Sequence, residues 1–248
     1  QPTPTTTPTT TPTVAPTTPA PTTPGPTSDA QAALDAAAAS LASVFAASQC
    51  TDPDADGAAL ASWAQARLGV GAWDAGATES ATSAITSLQS RCNAGHAVAV
   101  ADRAGEQAPD LAAALGDRDW VVPTLPAPAD AADITAFSSP SGNIACVLAE
   151  DSVTCSIQQY SFGSPGACPD PDAPVTVVID SSGSRADCAL SAVTGGPSLP
   201  YGNAARHSHF ACTSEMDGVT CWDTWTGARL KLARAVLEID GPVLGGAG

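Results

Sequence analysis

The sequence predicts an α+β protein, with an N-terminal alanine-rich helical bundle followed by a small antiparallel β domain stapled by disulfides. Three observations carry this prediction. Apolar residues recur at helical spacing between Asp29 and Asp117, short β runs separated by turn residues follow Ala136, and eight cysteines fall into close pairs. The expected organisation is a disordered Pro/Thr-rich tether over 1–28, a helical domain over 29–117, a connector over 118–135, a cysteine-rich β domain over 136–243 and a flexible tail over 244–248.

The first 28 residues mix proline with threonine and carry no charged side chain. Such a segment has little to bury and is expected to be an extended, polyproline-like spacer. Its threonines are candidate O-glycan acceptors. The chain opens with Gln1 rather than methionine and lacks an uninterrupted apolar run of membrane-spanning length. A secretory signal or membrane anchor upstream of Gln1 is therefore expected.

Helix begins at Ser28, read as an N-cap with Gln31 in the capping-box position, and Leu34, Ala38, Leu41, Val44 and Phe45 form its apolar stripe. A second helix runs from Gly57 to Leu68, with Leu60, Trp63, Ala64 and Leu68 on one face and Gly69 as its breaker. A third spans about Ala75 to Cys92 and presents Ala81, Ile85 and Leu88. A weaker helical pattern passes through Leu111 and Leu115, and the prolines at 123, 126 and 128 then mark the connector.

Seven β runs follow: Asn143 to Leu148, Val153 to Gln158, Val175 to Ile179, His209 to Thr213, Val219 to Trp222, Leu230 to Ala233 and Val236 to Ile239. The stretch from Ile144 to Cys155 is echoed from Phe210 to Cys221, and each copy reads as a hairpin bolted across its strands. The cysteine spacing favours Cys146 with Cys155, Cys168 with Cys188 and Cys212 with Cys221, leaving Cys50 for Cys92, although spacing alone leaves other pairings open. Closing the short loops is worth about 2 to 3 kcal/mol each in the chain-entropy account. No Cys-x-x-Cys pair is present, which argues against structural zinc.

These residues resemble a family of small secreted or membrane-anchored actinobacterial domains of unknown function. The resemblance rests on Phe137, the Ser139 to Ile144 turn with Cys146, the Leu199 to Gly202 turn, then Phe210, Cys212, Gly218 to Cys221 and Thr226-Gly227. It covers about 136–239 and implies an extracytoplasmic location, without an activity to transfer. Members often carry a Gly-His-Gly-Phe-like run after the last cysteine, where this chain has Gly227-Ala228-Arg229-Leu230.

The net charge of −16, with Lys231 as the single lysine and eight scattered arginines, disfavours nucleic acid and anionic membrane surfaces. Association with a membrane is expected only through the upstream anchor. No cofactor is implied, and calcium is the one cation for which a motif exists. Asp52, Asp54 and Asp56 before Gly57 match the opening of a calcium loop, but its twelfth position is Trp63 rather than a bidentate glutamate. The alternative for this loop is that Asp56 caps the second helix.

His207 and His209 flank Ser208 and would share one face of a strand, as a pair of metal ligands would. Trp222, Asp223 and Trp225 form the candidate ligand-binding patch, able to stack on a sugar ring and hydrogen-bond its hydroxyls. No Gly-x-Ser-x-Gly elbow or phosphate loop is present, and no catalytic residue is nominated. The expected function is that of a non-catalytic, extracellular or cell-surface binding or sensor module whose partner is a cell-wall, glycan or protein ligand. The alternatives are a metal-assisted hydrolase and a purely structural envelope component.

Overall fold

The computed structural model describes residues 27–163, 165, 168, 170 and 173–243; the tether up to residue 26 and the tail over 244–248 lie outside the described residues. Among the described residues the fold is α+β, with five helices preceding two β-sheets.

The helical unit comprises α1 (Ser28–Ala47), α2 (Pro53–Gly69), α3 (Ala75–Arg91), α4 (Ala94–Gln107) and α5 (Pro109–Leu115). Local chemistry sets each start. Thr27, Asp52, Asp74 and Asn93 are N-caps whose side-chain oxygens accept backbone N–H groups of the first turn. The cap of α1 is therefore Thr27 rather than Ser28. Helix α2 starts four residues earlier than Gly57, because Asp52 followed by Pro53 is itself an N-cap and first-turn pair.

Helix α4 is absent from the sequence reading. Its buried face is built from Ala94, Ala97, Val98, Val100, Ala101 and Ala104, so no large apolar side chain marks its period. Small residues serve close approach: a Cβ on Gly57 would lie 2.7 Å from the Cβ of Arg103 where α2 crosses α4. The core of this unit gathers Leu60, Trp63, Ile85, Leu88, Leu111 and Leu115. Helix α1 is long and apolar enough to cross a membrane by length and composition, although it lacks an unbroken apolar run, and it buries only Leu34, Leu41 and Phe45.

The β unit opens with β1 (Ala132–Asp133), which lies inside the expected connector and pairs in parallel with β7 (Asn203–His207). One sheet then winds antiparallel through β2 (Ala136–Ser138), β3 (Ile144–Leu148), β4 (Val153–Ile157), β5 (Val175–Asp180) and β6 (Gly183–Ala186). The other continues from β7 through β8 (Phe210–Glu215), β9 (Gly218–Asp223), β10 (Arg229–Ala233) and β11 (Val236–Asp240).

Apart from β1, each sheet is a five-stranded meander, and the echo between the two hairpins extends to the whole architecture. Cys146 faces Cys155 across β3 and β4, and Cys212 faces Cys221 across β8 and β9. Phe137 lies opposite Cys146 in the first sheet, where Ala205 lies opposite Cys212 in the second. Alternate residues of both sheets, including Ile144, Leu148, Val177, Phe210, Leu230 and Leu232, form one core. Four disulfides staple the molecule: Cys50–Cys92, Cys146–Cys155, Cys168–Cys188 and Cys212–Cys221. The first ties the end of α1 to the end of α3.

Candidate functional site

The two units meet where the N-terminus of α4 abuts the loop after β9. The Gly95 N–H donates to the Trp225 carbonyl at 3.3 Å, and Ala94 N–H donates to the Thr124 hydroxyl at 3.3 Å. That hydroxyl in turn donates to the Trp225 carbonyl at 2.6 Å. Asn93 donates through Nδ2 to the Val243 carbonyl at 2.9 Å. First-turn N–H groups that a helix cannot satisfy internally are thus taken up by the β unit and the segment before it. Gly95 is required here, because a Cβ would sit 2.3 Å from Cγ2 of Thr226.

Beside this junction lies a cleft of about 580 Å³, walled by Asn93, His96 and Asp102 of the helical unit and by Asp151, His209 and Trp225 of the β unit. Its lining carries the carboxylates of Asp102, Asp151 and Asp223 and no lysine or arginine. On the helical wall Asp102 is ion-paired with Arg118, and the carboxylates of the β wall are those of Asp151 and Asp223.

The histidines are held differently on the two walls. His96 Nε2 lies 2.8 Å from Asp56 Oδ2, which also accepts the Ser48 hydroxyl at 2.6 Å. Both members of this His–Asp pair are buried. His209 lies flat against Trp225, with centroids 4.0 Å apart and planes within 8°. Burial pushes the His209 imidazole below its ordinary value, and the carboxylates of Asp223 and Asp151 oppose that shift only in part.

The candidate patch at Trp222, Asp223 and Trp225 divides. Trp222 is buried, and its indole N–H donates to the Leu125 carbonyl at 3.0 Å, fastening the connector to β9. Asp223 shapes the loop by accepting the Trp225 N–H at 2.8 Å and the Thr226 hydroxyl at 2.7 Å. Only Asp223 and Trp225 reach the cleft.

Asp52, Asp54 and Asp56 are not brought together as a cation cradle. Asp52 caps α2, Asp54 pairs with Arg103 at 2.8 Å, and Asp56 turns inward to His96 rather than capping the helix. His207 and His209 likewise part company, because Ser208, at φ 51°, and His209 form the tight turn between β7 and β8. His207 instead lies 3.2 Å from Asp133 on the neighbouring β1.

Among the described residues, the one cluster of three metal-competent side chains is Cys146, Cys155 and Cys221, whose sulfurs are all in disulfides. The sequence reading missed the pairing of His96 with Asp56 and the stacking of His209 on Trp225. Neither pairing has a spacing signal, since each joins side chains from separate elements. In comparison with known proteins, no family model, no curated protein and no solved structure matches the chain.

Proposed function

We propose that the protein is an exported cell-envelope component that works as a binding module, with its ligand seated in the cleft between the helical and β units. The observation that carries this reading is the cleft itself. A concave site of about 580 Å³ at a junction of two units, with an aromatic face and a few polar groups, is the usual form of a ligand site. A lining with carboxylates and no basic side chain favours a neutral or cationic ligand, such as a glycan or peptide fragment of the envelope.

Export is supported by four disulfides, which persist in oxidising compartments, and by the uncharged Pro/Thr-rich arm. Membership of the actinobacterial disulfide-rich domain family is part of the same proposal. It rests on the Ser139 to Ile144 and Leu199 to Gly202 turns and the two cysteine hairpins.

Calorimetric titration with a chitin tetramer, a chitosan tetramer and an oligogalacturonate tests the reading with neutral, cationic and anionic probes. Saturable binding of a neutral or cationic probe is expected, with the chitosan affinity reduced in Asp151→Asn. Binding of the anionic probe alone, or of none of the three, would count against the proposed ligand class.

A further inference from the structure

The hydroxyl of Ser208, in the turn between β7 and β8, has two neighbours. It donates to the Glu150 carbonyl at 3.0 Å and lies 3.1 Å from Nδ1 of His209. A serine hydroxyl has one proton to give. With that proton committed to Glu150, the second contact is made by His209 Nδ1–H donating to Ser208, and the neutral ring carries its lone pair on Nε2. Nε2 has no protein partner, and it is not one of the buried unsatisfied atoms, which among the described residues are Arg67 Nε, Ser184 Oγ and Ser214 Oγ. It is therefore open to solvent, on a ring that lines the cleft.

The same hydroxyl places a charge. Its bond to Glu150 pins the turn between β3 and β4 to the turn that holds His209, so Asp151, next in the chain, stands on the same wall and its field reaches the imidazole. Asp151 is exposed and holds no ion pair among the described residues. The other carboxylates around the cleft are engaged: Asp223 holds the Trp225 N–H and the Thr226 hydroxyl, Asp102 holds Arg118, and Asp56 holds His96. A lone pair and an open carboxylate on one wall, in a lining without a basic side chain, match N–H donors that carry positive charge. Burial lowers the His209 pKa, so the lone pair is present at neutral pH, while an alkylammonium keeps its protons to about pH 10.

We propose that the cleft takes a peptide bearing a lysine-type primary ammonium, which donates an N–H to Nε2 of His209 and sets its charge against Asp151. This rests on the reading of the cleft as a ligand site and narrows it to one ligand class. Selection is by N–H donors as well as by charge, because a quaternary ammonium brings the same charge and no donor. Protonation of His209 removes the lone pair and adds a like charge, so acid releases the ligand.

The test is calorimetric titration of the disulfide-intact protein with N-acetyl-Ala-Lys-Ala-amide, its Nε-trimethyllysine and norleucine counterparts, and the chitin tetramer. At about pH 7.5 the expected result is one lysine peptide per chain, bound at least about tenfold more tightly than either counterpart. His209→Phe keeps an aromatic ring against Trp225 and should erase the preference for lysine over trimethyllysine. Asp151→Asn, at an exposed position, should weaken both cationic peptides and keep that preference. Equal binding of the lysine and trimethyllysine peptides, or a preference that survives in His209→Phe, would overturn the N–H assignment. If His209→Phe fails to fold, the unaltered protein still decides, because a lysine preference unchanged between about pH 7.5 and about pH 5.5 overturns it as well. Lysine-peptide binding indifferent to Asp151→Asn would overturn the charge assignment. Failure of all three peptides overturns the proposal, and binding of the chitin tetramer in that case leaves the broader reading of the cleft standing.

Discussion

The Sγ atoms of Cys155 and Cys221 lie 3.6 Å apart, so the disulfide of one sheet rests on the disulfide of the other at the centre of the β core. Each bond closes a loop of sequence separation 9, for which the chain-entropy account gives about 2.6 kcal/mol. The sulfurs are also core atoms, with both cysteine pairs fully buried. Replacing Cys146 and Cys155 together by alanine should therefore cost more than about 3 kcal/mol in denaturant unfolding, because a cavity opens beside Cys221. A loss no larger than the loop entropy would mean that the stacked sulfurs add nothing to packing.

The docking of the two units can be tested at Gly95. In an isolated helix, replacing glycine by alanine stabilises by up to about 1 kcal/mol. Here the new Cβ would meet Thr226 Cγ2 at 2.3 Å, and that methyl cannot swing away while the Thr226 hydroxyl is held by Asp223. Gly95→Ala should thus lower the melting temperature and speed amide exchange at Gly95, whose N–H bonds to Trp225. An unchanged or raised melting temperature would show that the junction is not tightly packed.

The sequence was most legible where side chains repeat. Leu34, Leu41 and Phe45 announced α1, the alternation Val175, Val177 and Ile179 announced β5, and the doubled Cys-to-Cys runs announced the two central hairpins. Helix α4 was lost because alanine and valine give its buried face too little contrast. Strands β6 and β7 were lost because Gly183–Ala186 and Asn203–His207 are short or polar and owe their order to pairing with neighbours. The site was legible at Asp223 and Trp225, and at His209 only as one of a histidine pair that the fold separates. The partners that shape it, Asp56 with His96 and His209 with Trp225, are joined by tertiary packing, which a one-dimensional pattern does not carry.

Asp56 is the structural counterpart of those cleft residues. Its carboxylate accepts the Ser48 hydroxyl and meets His96 in a buried setting, tying the loop after α1 to α4 through α2. Removing one member of a buried pair strands the other without its partner, typically at a cost of about 3 to 5 kcal/mol. Asp56→Ala should fall in that range by urea unfolding. Asp56→Asn keeps the shape and an acceptor for Ser48, and should lose clearly less. Equal, small losses in both variants would mean that the pair carries little stability.

The last prediction concerns acid. The folded state holds the His209 imidazole below its ordinary value of 6.5, chiefly through burial against Trp225 and Phe210, while Asp223 and Asp151 pull the other way. A group whose folded value is depressed leaves stability untouched above the unfolded value. Stability then falls as the pH drops below 6.5, because the unfolded chain gains a proton that the folded chain resists. The loss is complete once the pH has passed through the lowered folded value. The melting temperature should accordingly be level near pH 7.5 and decline toward about pH 5, and His209→Gln should flatten that decline. Asp180 contributes in a separate window, since Arg185 holds its carboxyl below the ordinary 3.8 and its protection is lost only on stronger acidification. A decline near pH 6 that survives in His209→Gln would assign the acid sensitivity to another group and remove the half-buried imidazole from the account of the cleft.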